Sequence, residues 1–151
     1  MTAEKSYFQE HDRYAEDVTT VGAAPERGNR YAYRFGTGPL AIRDVLPTPG
    51  DEGFEVDVTL HGGLAEPTAA AFVVTFGSAL SPPATPGLSA IGCPNCNIDG
   101  IAAGNVDGEL TGIDTWYIST ADAVVTAPCA TSGSPAPAGI PIVIFNDAEC
   151  D

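Results

Sequence analysis

The sequence predicts an α+β fold: an N-terminal amphipathic helix packed on a four- to five-stranded antiparallel sheet, with long loops. Three observations carry that prediction. Apolar residues at the start of the chain recur every three or four positions, and several later runs alternate every two. The 17 glycines and 13 prolines among 151 residues leave no room for further long helices. The length is that of one domain, 1–151, able to bury about two thirds of its unfolded surface.

The helix is predicted over residues 1–17. Tyr7, Phe8, His11, Tyr14 and Ala15 share one side, while Glu4, Lys5, Gln9, Glu10, Asp12, Arg13 and Glu16 face water. Thr2 supplies the N-cap. Residues 18–28 form the helix-to-sheet loop, punctuated by Gly22, Pro25 and Gly28. Tyr31, Tyr33 and Phe35 then alternate with Ala32 and Arg34 as a first strand.

The remainder, to residue 151, reads as sheet and loops. Phe54, Val56, Val58 and Leu60 point inward and Glu55, Asp57 and Thr59 outward along a half-buried strand, with Ala71 to Phe76 as its partner. Residues 81–87 are irregular. Ile113 to Thr120 is a strand that Ala123 to Thr126 extends or flanks, and Ala127 to Gly139 is a loop. Ile140 to Phe145 is the last strand, whose Pro141 restricts its start to an edge or entry position.

Charge is segregated. All six basic residues, Lys5, Arg13, Arg27, Arg30, Arg34 and Arg43, precede position 44, balanced there by six of the 20 acids. The rest of the chain carries acids and no base, hence the net charge of −14. Such a surface repels nucleic-acid backbones and anionic lipid, so direct nucleic-acid binding is not expected. The segregation reads first as an acidic secreted surface that keeps the protein soluble, and alternatively as basic and acidic regions of successive copies meeting head to tail.

Cys93, Cys96, Cys129 and Cys150 allow two disulfides in three connectivities. Redox chemistry at Cys93-Pro94-Asn95-Cys96 would need a helix N-terminus, whereas glycine-rich sequence follows. Haem attachment would need His where Asn97 stands. A four-cysteine zinc site normally has a second close pair, which Cys129 and Cys150 are not. Asn105, Asp107, Glu109 and Asp114 place oxygen donors around Gly108, a candidate calcium site whose spacing is not that of an EF-hand; a turn accounts for the same residues. His11, His61 and Trp116 carry structural readings. No serine elbow, HExxH or phosphate-cradling glycine loop is present, and no catalytic residue or cofactor is expected.

The run Tyr7 to Tyr14 (YFQEHDRY), the loop, and Pro25 to Phe35 (PERGNRYAYRF) resemble the soluble head of type IV pilins and related pseudopilins. Weaker echoes follow at Ala103 to Glu109, Ile113 to Ile118, and Phe145-Asn146-Asp147 before a terminal cysteine, while residues 44–92 are not covered. The resemblance implies an extracellular structural subunit of a filament serving motility, adhesion and, through the assembled machine, DNA uptake. Its partners would be copies of itself, other pilins and inner-membrane assembly machinery. It also implies a Cys129–Cys150 cystine closing the C-terminal region, leaving Cys93–Cys96 to stiffen a local loop. The expected assembly surface is Lys5, Glu10 and Arg13 with residues 18–28 and the cystine-bounded end. In such proteins a hydrophobic half-helix precedes this segment and anchors the precursor, so the chain is expected to be part of a longer one. A pseudopilin of type II secretion, whose major members bind calcium in a comparable loop, is the alternative within that fold. A free extracellular, acidic, calcium-dependent binding module is the alternative from another class.

Overall fold

The computed structural model describes residues 1–25, 27–76, 86–106, 112–127, 133–146 and 150. In chain order the elements are α1 (Thr2–His11), β1 (Tyr31–Arg34), β2 (Gly53–Phe54), α2 (Val58–His61), β3 (Val73–Phe76), β4 (Gly87–Leu88), β5 (Ile98–Gly104), β6 (Asp114–Ser119), β7 (Ala123–Thr126), β8 (Ser134–Ala136) and β9 (Ile142–Phe145). The fold is α+β, as expected. Its strands, however, form two antiparallel sheets in place of one. The larger runs β2-β1-β5-β6-β9, with β4 paired to the start of β5; the smaller is β3-β7-β8.

The central strand of the larger sheet, β5, was not foreseen. Its sequence IDGIAAG hides the alternation, because Gly100, Ala102 and Gly104 give one side of the strand almost no side chain. Aromatic neighbours fill that space. A Cβ on Gly104 would lie 2.6 Å from the Tyr31 ring, and one on Gly100 would lie 3.3 Å from Phe35.

Register divides the larger sheet into two faces. Phe54, Tyr33, Ala102, Trp116 and Val143 stand directly opposite one another in one row, with a bulge between Thr115 and Trp116. On the other face Tyr117, Ile142 and Ile144 meet Ala123, Val125 and Ala136 of the smaller sheet, packed with Phe72, Val74 and Phe76. Tyr117 is fully buried, with the Phe72 ring edge-on at 5.5 Å. This is the main core. A second cluster sits on the opposite face, where Val18 and Ala41 cover Phe54, flanked by Ala23, Tyr33 and Phe35.

The segment read as a strand from Phe54 to Leu60 is one only at Phe54. Asp57 turns inward and is fully buried, Val58 to His61 coil into α2, and Val58 and Leu60 are exposed. The alternation was reversed by a bonded acid: Asp57 finds stronger donors inside than water offers. Ala71 to Phe76 accordingly lacks that partner, and Val73 to Phe76 pairs with β7. The loop expected from Ala127 to Gly139 contains β8, paired through Val124 and Pro135. β9 lies at the sheet edge, as Pro141 required.

The helix is shorter than expected. It ends at His11 because Asp12 takes a left-handed conformation (φ 54°) and donates its N–H to Phe8 O at 2.8 Å; a short polar side chain tolerates that region. Its N-cap is Met1, not Thr2. The sheet face with Tyr33 and Phe54 is covered by Val18 and Ala23 of the following loop, while Met1 and the first residues of α1, Thr2 and Ala3, line the rim of a 390 Å³ recess there.

Candidate assembly surface

Lys5 and Glu10 are exposed on α1, and Arg13, which the sequence placed on the same helix, is exposed one residue past the C-cap. His11 is also exposed, not packed; it leans on Tyr7, ring centroids 4.4 Å apart, and lies 3.9 Å from Glu10. The buried residue of α1 is Glu4, which the sequence placed in water. The Phe8 and Tyr14 rings pack at 4.5 Å and fold the chain back over the helix. This brings the Ala15 N–H to Glu4 Oε2 at 3.4 Å, while Glu4 Oε1 is buried without a hydrogen-bond partner. Burial pushes the Glu4 carboxyl up to about 7, against the pull of that N–H. Glu16 then ties the fold-back to the sheet, accepting from Leu88 N–H at 2.6 Å.

The helix-to-sheet loop is built on Asp17. Its Oδ1 accepts from the Thr19 hydroxyl and the Thr19 and Thr20 N–H groups, and its Oδ2 from Gly50 N–H at 2.8 Å. The Thr19 hydroxyl above all, then Gly50, lowers the Asp17 carboxyl from its ordinary value. Val18, fully buried next door, donates its N–H to Asp51 O at 2.9 Å. Loop and sheet edge are thereby one unit.

Arg27 joins this loop to α2. Its Nε donates to Asp57 Oδ2 at 2.9 Å, its Nη1 to Asp44 at 2.9 Å and to Arg43 O at 3.0 Å. Gly28 N–H donates to the same Asp57 oxygen at 2.9 Å, and this bond first, then the Arg27 charge, holds Asp57 below the usual carboxylate range. Nothing in sequence spacing marks an arginine at 27 for an acid thirty residues later.

A further buried acid lies between the sheets. Asp99 accepts from the Tyr117 hydroxyl at 2.7 Å and from Asn97 Nδ2 at 3.4 Å. Burial pushes Asp99 up to about 6 and the Tyr117 hydroxyl above its ordinary value. Just upstream, Cys93 and Cys96 form a disulfide with Cα atoms 4.5 Å apart, closing the turn before Asn97. Cys150 is disulfide-bonded, but Cys129 lies outside the described residues, so their pairing remains an expectation.

Of the candidate calcium ligands, Asp107 and Glu109 also lie outside the described residues. Asn105 is half-buried, and Asp114 accepts from the Tyr31 hydroxyl at 3.1 Å. Among the described residues no group of three His, Cys, Asp or Glu side chains gathers to hold a metal, and no helix is long and apolar enough to cross a membrane.

These residues build a short helix tied by its following segment to the sheet through Gly50, Asp51 and Leu88. A family model described as type IV pilin PilA matches residues 1–113. The chain is also 33% identical over 162 residues to the type IV major pilin protein PilA of Myxococcus xanthus (strain DK1622), across 99% of this chain and 73% of that protein. The chain belongs to the type IV pilin PilA family and is a structural subunit of a type IV pilus, at the cell surface, built from copies of itself.

Proposed function

We propose that this head coats the pilus and meets neighbouring copies through the exposed flank of α1, the loop 18–28 and the C-terminal region about Cys150, in a filament serving motility and adhesion. The observation that carries this reading is the charge segregation: Lys5, Arg13 and Arg30 are exposed on a molecule whose sequence beyond position 43 contains acids and no lysine or arginine. In a head-to-tail stack the basic flank of one copy meets the acidic region of the next. The precursor is held in the inner membrane by a hydrophobic segment ahead of this head and is passed to assembly machinery there. Membership of the pilin family supports that.

The test uses the full-length precursor in a piliated host. Reversing Lys5 and Arg13 together (K5E with R13E) should reduce sheared filaments, and should make the remaining filaments less resistant to low ionic strength, where unscreened repulsion is strongest. Unchanged filament yield at both low and moderate salt overturns the role given to the flank.

A further inference from the structure

Among the described residues one buried carboxyl oxygen lacks a hydrogen-bond partner, Glu4 Oε1. Its companion Oε2 takes the Ala15 N–H at a long 3.4 Å, and Glu4 is 1% exposed. A neutral carboxyl endures such a place at modest cost. A carboxylate does not, because it gives up water and gains one weak donor.

The charged groups around Glu4 pull in opposite directions. The Met1 amino group at the N-cap favours the carboxylate, and Glu16 in the segment folded over α1 opposes it. Lys5 is turned elsewhere: a Cβ on Gly139 would lie 2.6 Å from its Nζ. Glu10 and His11 stand nearly two turns further along the helix, and Asp12 and Arg13 are exposed. From the sheet, β4 meets the folded segment through the uncharged Leu88 N–H, which donates to Glu16 at 2.6 Å.

The segment is bounded by a hinge and a fixed post. The hinge is Asp12, the one non-glycine residue with positive φ among those described, 54°. The post is Asp17, whose carboxylate accepts from Thr19, Thr20 and Gly50. Between them, residues 13–16 lie against α1 through the Phe8 and Tyr14 rings and the Ala15 bond.

We propose that Glu4 is a proton-worked latch on this segment: with its proton it holds residues 13–16 against α1, and as a carboxylate it lets them go. Opening uncovers the Phe8 and Tyr14 rings and frees Arg13, while Asp17 keeps the helix-to-sheet loop in place. The latch belongs to the head itself and is independent of what the head assembles into. With Glu4 at about 7 in the closed state and its ordinary 4.5 in the open one, the closed-to-open ratio falls roughly 70-fold from pH 5 to pH 8.

The experiment follows amide hydrogen exchange of the 151-residue chain by NMR, with each rate compared with its intrinsic value at the same pH. The Ala15 N–H should lose roughly 70-fold of its protection from pH 5 to pH 8. E4Q keeps an oxygen for Ala15 and cannot ionise, so its Ala15 protection should stay level over that range. Constant protection in the parent, or the same loss in E4Q, overturns the latch. Low urea should leave the Ala15 rate unchanged, because opening exposes little surface. A rate that climbs with urea means that the whole head unfolds, and overturns the latch as well. Should E4Q not accumulate, the pH and urea series of the parent decides alone.

Discussion

Two buried acids at opposite ends of the helix-to-sheet connection behave in opposite ways. Asp57, at the start of α2, receives the Arg27 guanidinium and the Gly28 N–H and sits below the ordinary carboxylate range. Glu4, in α1, receives one long N–H bond, keeps an oxygen without a partner, and is pushed up to about 7. Both are almost wholly out of water. Burial alone therefore does not set an acid's charge; the donors that replace water do. Asp99 falls between them, with neutral donors only and a carboxyl pushed up to about 6. The helix end is consequently the part of the head most sensitive to pH, and the Arg27 knot the part least so near neutrality.

Removing the matched acid should cost most. Asp57→Ala strands Arg27 and the Gly28 N–H and should lower Tm by about 10 °C at neutral pH. A shift of only a degree or two, measured by thermal unfolding, would mean that Arg27 is content with Asp44 and water. Removing the unmatched acid should do the reverse. The folded-state value of Glu4 is raised above its ordinary 4.5 to about 7, so its contribution is fully present below 4.5 and is lost as pH rises through 7. E4Q should therefore gain on the parent as pH goes from 5 to 8, by roughly 2 kcal/mol or about 5 °C in Tm. A difference that stays flat with pH would show that Glu4 titrates as if solvated.

Asp99 follows the same sign over a lower window, from its ordinary 3.8 to about 6. D99N keeps an oxygen for the Tyr117 hydroxyl and should remove roughly 2 kcal/mol of pH dependence between pH 4 and 7. An unaltered stability profile over that range would assign the slope elsewhere. A cation supplied from outside is a third way to match an acid, and the residues 105–114 are where calcium would act. Binding there should raise Tm by roughly 2 °C or more at millimolar calcium relative to chelator; coincident curves would remove the ion from this protein.

Some of this was legible before any coordinates. The tyrosines of β1, the run at β6 and the edge position of β9 follow from alternation and proline chemistry, which depend on neighbours a few residues away. The exposure of Lys5 and Glu10 follows from helical spacing. Glu4 escaped because its charge outweighs its position in a pattern count, though it sits one turn from Tyr7 and Phe8 on the same helix. Asp57 escaped because its place in a clean alternation pointed outward. β5 escaped because glycine and alanine leave a strand without a pattern when aromatic residues from β1 do the filling.

By itself, then, the amino-acid order determined the class of fold, the presence of a helix at its start and the division of charge, since each arises from local periodicity or from counting. Folding in three dimensions decided that the strands split into two sheets, that the loop carrying Val18 and Ala23 covers the sheet more than the helix does, and which acids are matched. Those outcomes depend on donors and ring faces contributed from distant positions, such as Arg27 for Asp57 and Tyr31 for Gly104, and a one-dimensional pattern holds no record of such meetings.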